Sequence, residues 1–238
     1  MNIRVRIKPV PAVLWIISLA SAFLALKASD EPIVELCRDT AIAGLLRRFP
    51  TGNSVVFDLS IGFLVSVIFY LLVVWFPARQ KKNLIKRTFE EQYRYFKEDT
   101  IAILLRACAT SYESDLPKTL SDQNKFRDYF KEPVSESQNR WHSVLNGLDE
   151  RLLKDLLVEL EILMHEVRYV LDNVDIDDPK VFSFFKRLSQ AVYKLKNFTL
   201  EYDDVKQLSG FLWDIFAGFS IIKGYRENDI IEDMIKSI

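Results

Sequence analysis

Two long stretches without charge stand out in the first third of the chain. Between Lys8 and Lys27 lie 18 uncharged residues, PVPAVLWIISLASAFLAL, and between Asp58 and Arg79 lie 20, LSIGFLVSVIFYLLVVWFPA. At 1.5 Å rise per residue each run makes a helix of about 27–30 Å, the thickness of a bilayer's hydrocarbon core. Both are predicted as transmembrane helices, with Trp15 and Trp75 near their ends as interfacial anchors. The first run also has the parts of a signal peptide, with Arg4, Arg6 and Lys8 ahead of it and Ala20-Ser21-Ala22 as a cleavage point. The apolar run continues past that point to Leu26, which favours a retained span.

Flanking basic residues set the expected orientation. Arg4, Arg6 and Lys8 precede the first span, and Arg79, Lys81, Lys82, Lys86 and Arg87 follow the second. The connecting loop carries four basic and five acidic side chains. Both termini therefore read as cytoplasmic, and residues 1–87 as a transmembrane hairpin with a short outer loop. The five basic residues after Pro77 are expected to hold topology and to touch anionic headgroups, with nucleic-acid phosphates as the sharper alternative. Within the loop, Val34, Cys37, Ala41 and Leu45 recur at helical spacing between Ile33 and Phe49, as in an interfacial amphipathic helix or a short helix packed on the span ends. Cys37 and Cys108 would lie on opposite sides of the membrane and could not pair. In the spans Ser18/Ala22, Ser21/Ala25 and Gly62/Ser66 are small residues four apart, a spacing that lets helix backbones approach closely, either between the two spans or between copies.

From residue 88 onward the hydrophobic period changes to that of amphipathic helices, so residues 88–238 read as a cytoplasmic helical domain. Tyr93, Phe96, Ile101, Leu104 and Leu105 mark a helix from Glu90 to Ala109, and the polar run from Ser111 to Gln123 reads as a loop. A short helix around Phe126, Tyr129 and Phe130 stops at Pro133. Leu153, Leu157, Leu160, Met164, Val167 and Leu171 form the best stripe, widened by Leu152, Leu156 and Leu163. That width suits the centre of a bundle better than a two-stranded zipper, though an oligomeric coiled coil uses the same spacing. Asp178 is placed to cap a helix beginning at Pro179, with Val181, Phe185, Leu188, Val192 and Leu195 on its inner face. Asp203 or Asp204 is placed to cap a further helix through Phe219, and Asn228–Ile238 forms the last. The aromatics from Phe182 to Tyr225 read as a dry core. The fold class is all-α: a two-helix transmembrane hairpin, then a cytoplasmic helical bundle.

Charge and composition narrow the function. The chain is 238 residues long with a formal net charge of -1, but residues 88–238 hold 20 basic and 28 acidic side chains, a net of -8. Direct sequence-specific nucleic-acid binding by that domain is not expected. The spans contain no Asp, Glu, His, Lys or Arg, which disfavours a proton relay, coupled transporter or voltage sensor. Asp172 to Asp178 has the look of a calcium loop but lacks its glycine, and Lys186 stands where its last carboxylate would be. His165 and Glu166 do not continue into a zinc-binding helix motif. No phosphate-binding glycine loop and no nucleophile elbow occurs. With only His142, His165, Cys37 and Cys108 as candidates, no catalytic or metal-ligating constellation is identified, and neither an enzyme nor a cofactor is expected.

The run GFLWDIFAGFSIIKGYREND, Gly210 to Asp229, is less generic. Gly218 and Gly224 interrupt an otherwise strong helix, and Trp213, Phe216, Phe219 and Tyr225 gather around them. Behind a hairpin of spans, this run resembles the two-span membrane effectors of bacterial retron anti-phage systems. The layout is similar along the whole chain, the residues only in that run. The resemblance implies an abortive-infection effector in the inner membrane, held inactive by a reverse transcriptase with its RNA–DNA hybrid. When triggered, it would compromise the membrane and stop growth. The partners it implies are the lipid bilayer, that ribonucleoprotein and further copies of the chain. The competing reading is a non-catalytic anchor that presents a helical interaction domain.

Overall fold

The computed structural model describes residues 12–30, 49, 51–109, 111–222 and 224–238. Arg4, Arg6, Lys8 and most of the expected loop helix, Cys37 included, lie outside the described residues. The chain forms two compact units, Met1–Lys82 and Asn83–Ile238, so the division falls five residues before the expected one.

In the first unit, helix α1 (Ala12–Ala28) packs against α2 (Asn53–Phe69). Neither helix is amphipathic in the usual sense, because large apolar side chains cover most of their circumference. Leu19, Leu26, Leu59, Leu72 and Val73 are all more than 60% exposed. The buried residues are small ones: Ser21, Ala25 and Ala28 on α1, and Ser60 on α2. Small side chains at a contact let two backbones approach closely while the bulky ones point outward. Helix α2 begins at Gly52, whose φ of 75° is the left-handed conformation that glycine adopts freely. It runs into one wide π-helical turn at Tyr70–Trp75 and continues as α3 (Phe76–Cys108).

The second unit is built on the buried stripe of α3. Ile85, Phe89, Tyr93, Phe96, Thr100 and Leu104 recur every three or four residues, Ile101 and Leu105 widen the stripe, and all are buried. Around them lie α4 (Leu116–Leu120), α5 (Gln123–Lys131), α6 (Arg140–Gly147), α7 (Glu150–Asn173), α8 (Pro179–Leu195), α9 (Tyr202–Phe216) and α10 (Ile230–Lys236). Helix α7 is the central one foreseen, burying Leu152, Leu153, Leu156, Leu160, Leu163, Met164, Val167, Val170 and Leu171. Helix α8 packs along it, and Phe185 of α8 meets Phe89 of α3 at a ring separation of 5.5 Å. Capping follows the sequence at several starts: the carboxylates of Asp122, Asp149, Asp178 and Asp229 each accept from a backbone N–H two or three residues ahead.

The structure corrects four expectations. The stretch from Ser111 to Gln123 contains α4, started by Pro117 in its first turn. Helix α9 begins at Tyr202 with Glu201 at its cap, and Asp204 instead accepts bonds from the Thr199 amide and hydroxyl. Two antiparallel hairpins interrupt the helices, β1 (Pro133–Ser135) with β2 (Gln138–Asn139), and β3 (Phe219–Ser220) with β4 (Gly224–Tyr225). The aromatics from Phe182 to Tyr225 are not uniformly core: Phe185 and Phe216 are buried, while Tyr193 and Tyr202 are exposed.

Two glycines test the packing from opposite sides. A Cβ on Gly147, at the end of α6, would lie 1.9 Å from the Ala107 carbonyl oxygen. Gly210, inside α9, faces open space. Gly147→Ala is expected to destabilise the second unit by about 1–3 kcal/mol through overpacking. Gly210→Ala should stabilise it by about 0.4–1 kcal/mol by restricting the unfolded chain. Denaturant midpoints of the two variants measure this, and equal shifts would count against the close approach at Ala107.

Candidate functional site

The structure places the expected span-packing residues on different faces. Ser18 and Ala22 are half-buried on the side of α1 that carries Ser21 and Ala25. Gly62 and Ser66 are exposed, and a Cβ on Gly62 would meet nothing within 4 Å. Their assignment to the packing of the two helices is therefore corrected, with Ser60 taking that place. The hydroxyl of Ser66 donates to the Gly62 carbonyl at 2.8 Å, which satisfies it within its own helix. The helical stretch Asn53–Cys108 is long and apolar enough to cross a membrane, and Ala12–Ala28 is a shorter apolar helix.

The five basic residues are also divided. The Arg79 guanidinium lies over the Trp75 ring at 5.2 Å, and Arg87 pairs with Glu91 one turn on, at 3.7 Å with both side chains well exposed. Lys86 belongs to the second unit, where its ammonium donates to the backbone carbonyl of Lys236. It ties down the last helix, and that bond is a role beyond headgroup contact.

A more deeply set cation lies three turns along α3. The Lys97 side chain is only 8% exposed, with its ammonium 3.3 Å from the Asp229 carboxylate and 2.5 Å from that of Glu232. The Tyr93 hydroxyl donates to the same Asp229 oxygen at 2.9 Å. Burial, and then the Asp229 charge, hold the Tyr93 proton well above the usual tyrosine range. Sequence reasoning passed over Lys97 because its position in the α3 stripe falls between Phe96 and Ile101, where an exposed lysine is the ordinary expectation.

The expected aromatic and glycine cluster separates into two parts. Trp213 and Phe216 belong to the core: Trp213 meets Trp141 at 5.0 Å, and Phe216 meets Phe126 at 5.4 Å. Phe219 and Tyr225 instead pair across the β3–β4 hairpin at 5.2 Å. Gly218 and Gly224 bracket that hairpin with φ of 61° and 69°, values at which any other residue is strained. A Cβ on Gly218 would also fall 1.8 Å from the Gln123 side-chain amide and push it off its bond to the Arg226 carbonyl. The hairpin's base is pinned to α5. Gln123 donates to the Arg226 carbonyl, Arg127 donates to the carbonyls of Ala217 and Arg226, and Arg127 and Lys131 both lie over the Tyr225 ring. From this base, Ile221 and Ile222 project with 91% of their surface exposed.

The described histidines and cysteine stand in different settings. His142 is exposed and shares a 2.7 Å contact with Asn139, the cap of its helix. His165 is exposed on α7. The Cys108 thiol is pushed up by burial and faces the Leu105 carbonyl, the reverse of an activated nucleophile. Among the described residues no group of three histidine, cysteine or carboxylate side chains is placed to hold a metal ion. Asp99, Asp155 and Glu159 face an open cleft of about 400 Å³ together with Arg106. Comparison with protein-family profiles, curated proteins and solved structures gives no match. Function has to be read from the residues themselves.

Removing the Lys97 charge leaves the largely buried Asp229 carboxylate without its cation. Lys97→Met is expected to cost roughly 3–5 kcal/mol of stability, and pairing it with Asp229→Asn should recover most of that loss. A double-mutant cycle by urea unfolding measures it, and additive effects would show that the pair is not coupled. The acidic cleft has its own pH signature. Glu159's carboxyl is pushed up first by burial, then by Asp99 and Asp155. A carboxyl that is raised in the folded state disfavours folding at neutral pH and stops doing so as pH falls below its unfolded value of about 4.3. Glu159→Gln should therefore stabilise the protein at pH 7, by less than about 1 kcal/mol given its solvent screening. The gain should vanish near pH 4 in the same unfolding assay.

Proposed function

We propose that the chain is a non-catalytic effector of a bacterial inner membrane. In this reading α1 and the apolar part of the helix beginning at Asn53 cross the bilayer, both termini are cytoplasmic, and the second unit senses or restrains. The carrying observation is the inverted surface of the first unit, where large aliphatic side chains point outward and small ones are buried. In water such a belt is an aggregation hazard; in hydrocarbon it is the ordinary lipid-facing surface. The lack of any Asp, Glu, His, Lys or Arg between Asp58 and Arg79 supports a physical action on the membrane over gated transport. The resemblance to retron effectors supplies the finer content: an abortive-infection role in anti-phage defence, restraint by a reverse transcriptase with its RNA–DNA hybrid, and release that collapses the membrane barrier. Two spans per chain cannot enclose an aqueous path, so the lesion requires several copies.

The anchor reading makes the same use of the bilayer but gives the spans no role of their own. Inducible expression of the full chain, beside a version with Val10–Phe76 replaced by an unrelated two-span hairpin, separates the two. The effector reading expects a membrane-potential dye to report depolarisation within minutes for the full chain and none for the exchanged version, both inserted to the same level. Equal behaviour of the two chains would favour the anchor.

A further inference from the structure

Between the paired Ser220 and Gly224 the β3–β4 hairpin turns through Ile221-Ile222-Lys223. Turns are ordinarily made of glycine, asparagine, aspartate, serine or proline. Here two adjacent β-branched apolar residues take that place, each with 91% of its surface exposed, so they add nothing to the fold beneath them. The base, in contrast, is fixed by Gln123, by Arg127 and by the left-handed Gly218 and Gly224. A firmly held hairpin that ends in bare aliphatic surface marks an interaction site.

Polarity changes in one direction along the hairpin. The isoleucines form the tip and Lys223 follows them in the chain. Behind the tip comes Tyr225, 40% exposed, with the Arg127 and Lys131 cations 4.2 and 4.1 Å from its ring centre. Arg226 is next. Asp128 and Glu227 are chain neighbours of two of these cations, and Asp214 lies beside Arg226, but residues 219–226 themselves contain two cations and no acid. The surroundings are the reverse, since residues 88–238 carry a net charge of -8. An anionic bilayer repels such an acidic body, and a basic hairpin with an apolar end is a part that can approach it. A pocket on another protein would need the apolar tip alone. Aliphatic side chains first, then an amphipathic ring and long basic side chains, is the order of a bilayer's acyl boundary, interface and headgroups.

We propose that the β3–β4 hairpin docks on the anionic phospholipid surface of the membrane that the first unit spans. Ile221 and Ile222 enter the acyl boundary, while Lys223, Arg226 and Lys131 meet headgroup phosphates. The proposal rests on the membrane reading of the first unit. The chain that continues from the spans keeps the second unit beside the bilayer, so docking is an intramolecular step that a short apolar tip can drive.

The test uses the full chain with Cys37→Ser and Cys108→Ser, one copy per lipid nanodisc. Single cysteines at Ile222→Cys, Leu72→Cys and Tyr202→Cys carry a polarity-sensitive fluorophore, and nitroxide groups on the lipid acyl chains act as quenchers. Leu72 reports the span, and Tyr202 reports the exposed first residue of α9. In discs of phosphatidylcholine with phosphatidylglycerol, the expected result is quenching and a blue shift at Leu72 and Ile222, and neither at Tyr202. Lys223→Gln should lower the docked-to-free ratio at Ile222 about fivefold in those discs and leave it unchanged in neutral ones. Ile221→Asp should lower it at least about tenfold, with the circular dichroism unchanged, and Ile221→Leu should retain it. Quenching at Leu72 without quenching at Ile222 would overturn the docking alone. No quenching at Leu72 would overturn the membrane reading and the docking with it. A blue shift at Ile222 without nitroxide quenching, present only when several copies share a disc, would assign the tip to another chain and overturn the proposal.

Discussion

An ammonium group taken out of water must be answered by carboxylates, and the last third of the second unit is arranged around that requirement at Lys97. Asp229 does three things at once. It pairs with Lys97, it accepts from the Tyr93 hydroxyl, and its second oxygen accepts the amides of Ile231 and Glu232 to start α10. Helix α10 then buries Ile231 and Ile235 beside α3, and its final carbonyl is held by Lys86. With α10 fixed at one side and the core residues Trp213 and Phe216 fixing α9 at the other, the chain between them has little freedom. It turns at two glycines and projects as a hairpin.

The two units obey opposite burial rules, a difference that the proposed membrane setting of the first would explain. In the second, bulk goes inside: Phe89, Tyr93, Phe126, Phe130 and Phe185 are almost wholly buried, and the aromatic edges meet at separations of about 4.5–6 Å. In the first, bulk goes outside, and serine and alanine occupy the buried positions. Water drives large apolar groups together. Hydrocarbon does not distinguish them from its own chains, so what is left to gain is close backbone packing. The change of rule falls within a few residues of the basic run after Pro77.

Much of the second unit was legible from residue spacing. The α7 stripe, the Asp178–Pro179 start of α8 and the stop at Pro133 are local signals, set by helical periodicity, side-chain capping and the fixed φ of proline. Some misses were local, as at the Leu116–Leu120 helix and the Thr199–Asp204 bonds, but the ones that shape the site depend on partners far away in sequence. Lys97 looked like a surface lysine because Asp229 and Glu232 lie more than 130 residues on. Gly62 and Ser66 had the right spacing for helix packing but face away from α1, and spacing alone does not say which face meets a neighbour. Gly218 and Gly224 were recognised as interruptions, yet the hairpin they permit depends on Gln123 and Arg127 of α5.

The sequence by itself determined the helical class, the two uncharged runs, the switch from continuous to amphipathic hydrophobicity, and the scarcity of histidine and cysteine. These are properties of composition and near-neighbour spacing, which act through the backbone within a turn or two. Tertiary structure decided which small residues are buried, which lysine leaves water, and that two isoleucines stand in solvent. Those outcomes follow from how distant faces meet, and the free energy of a buried charge or an exposed methyl group exists only once the neighbours that surround it are in place.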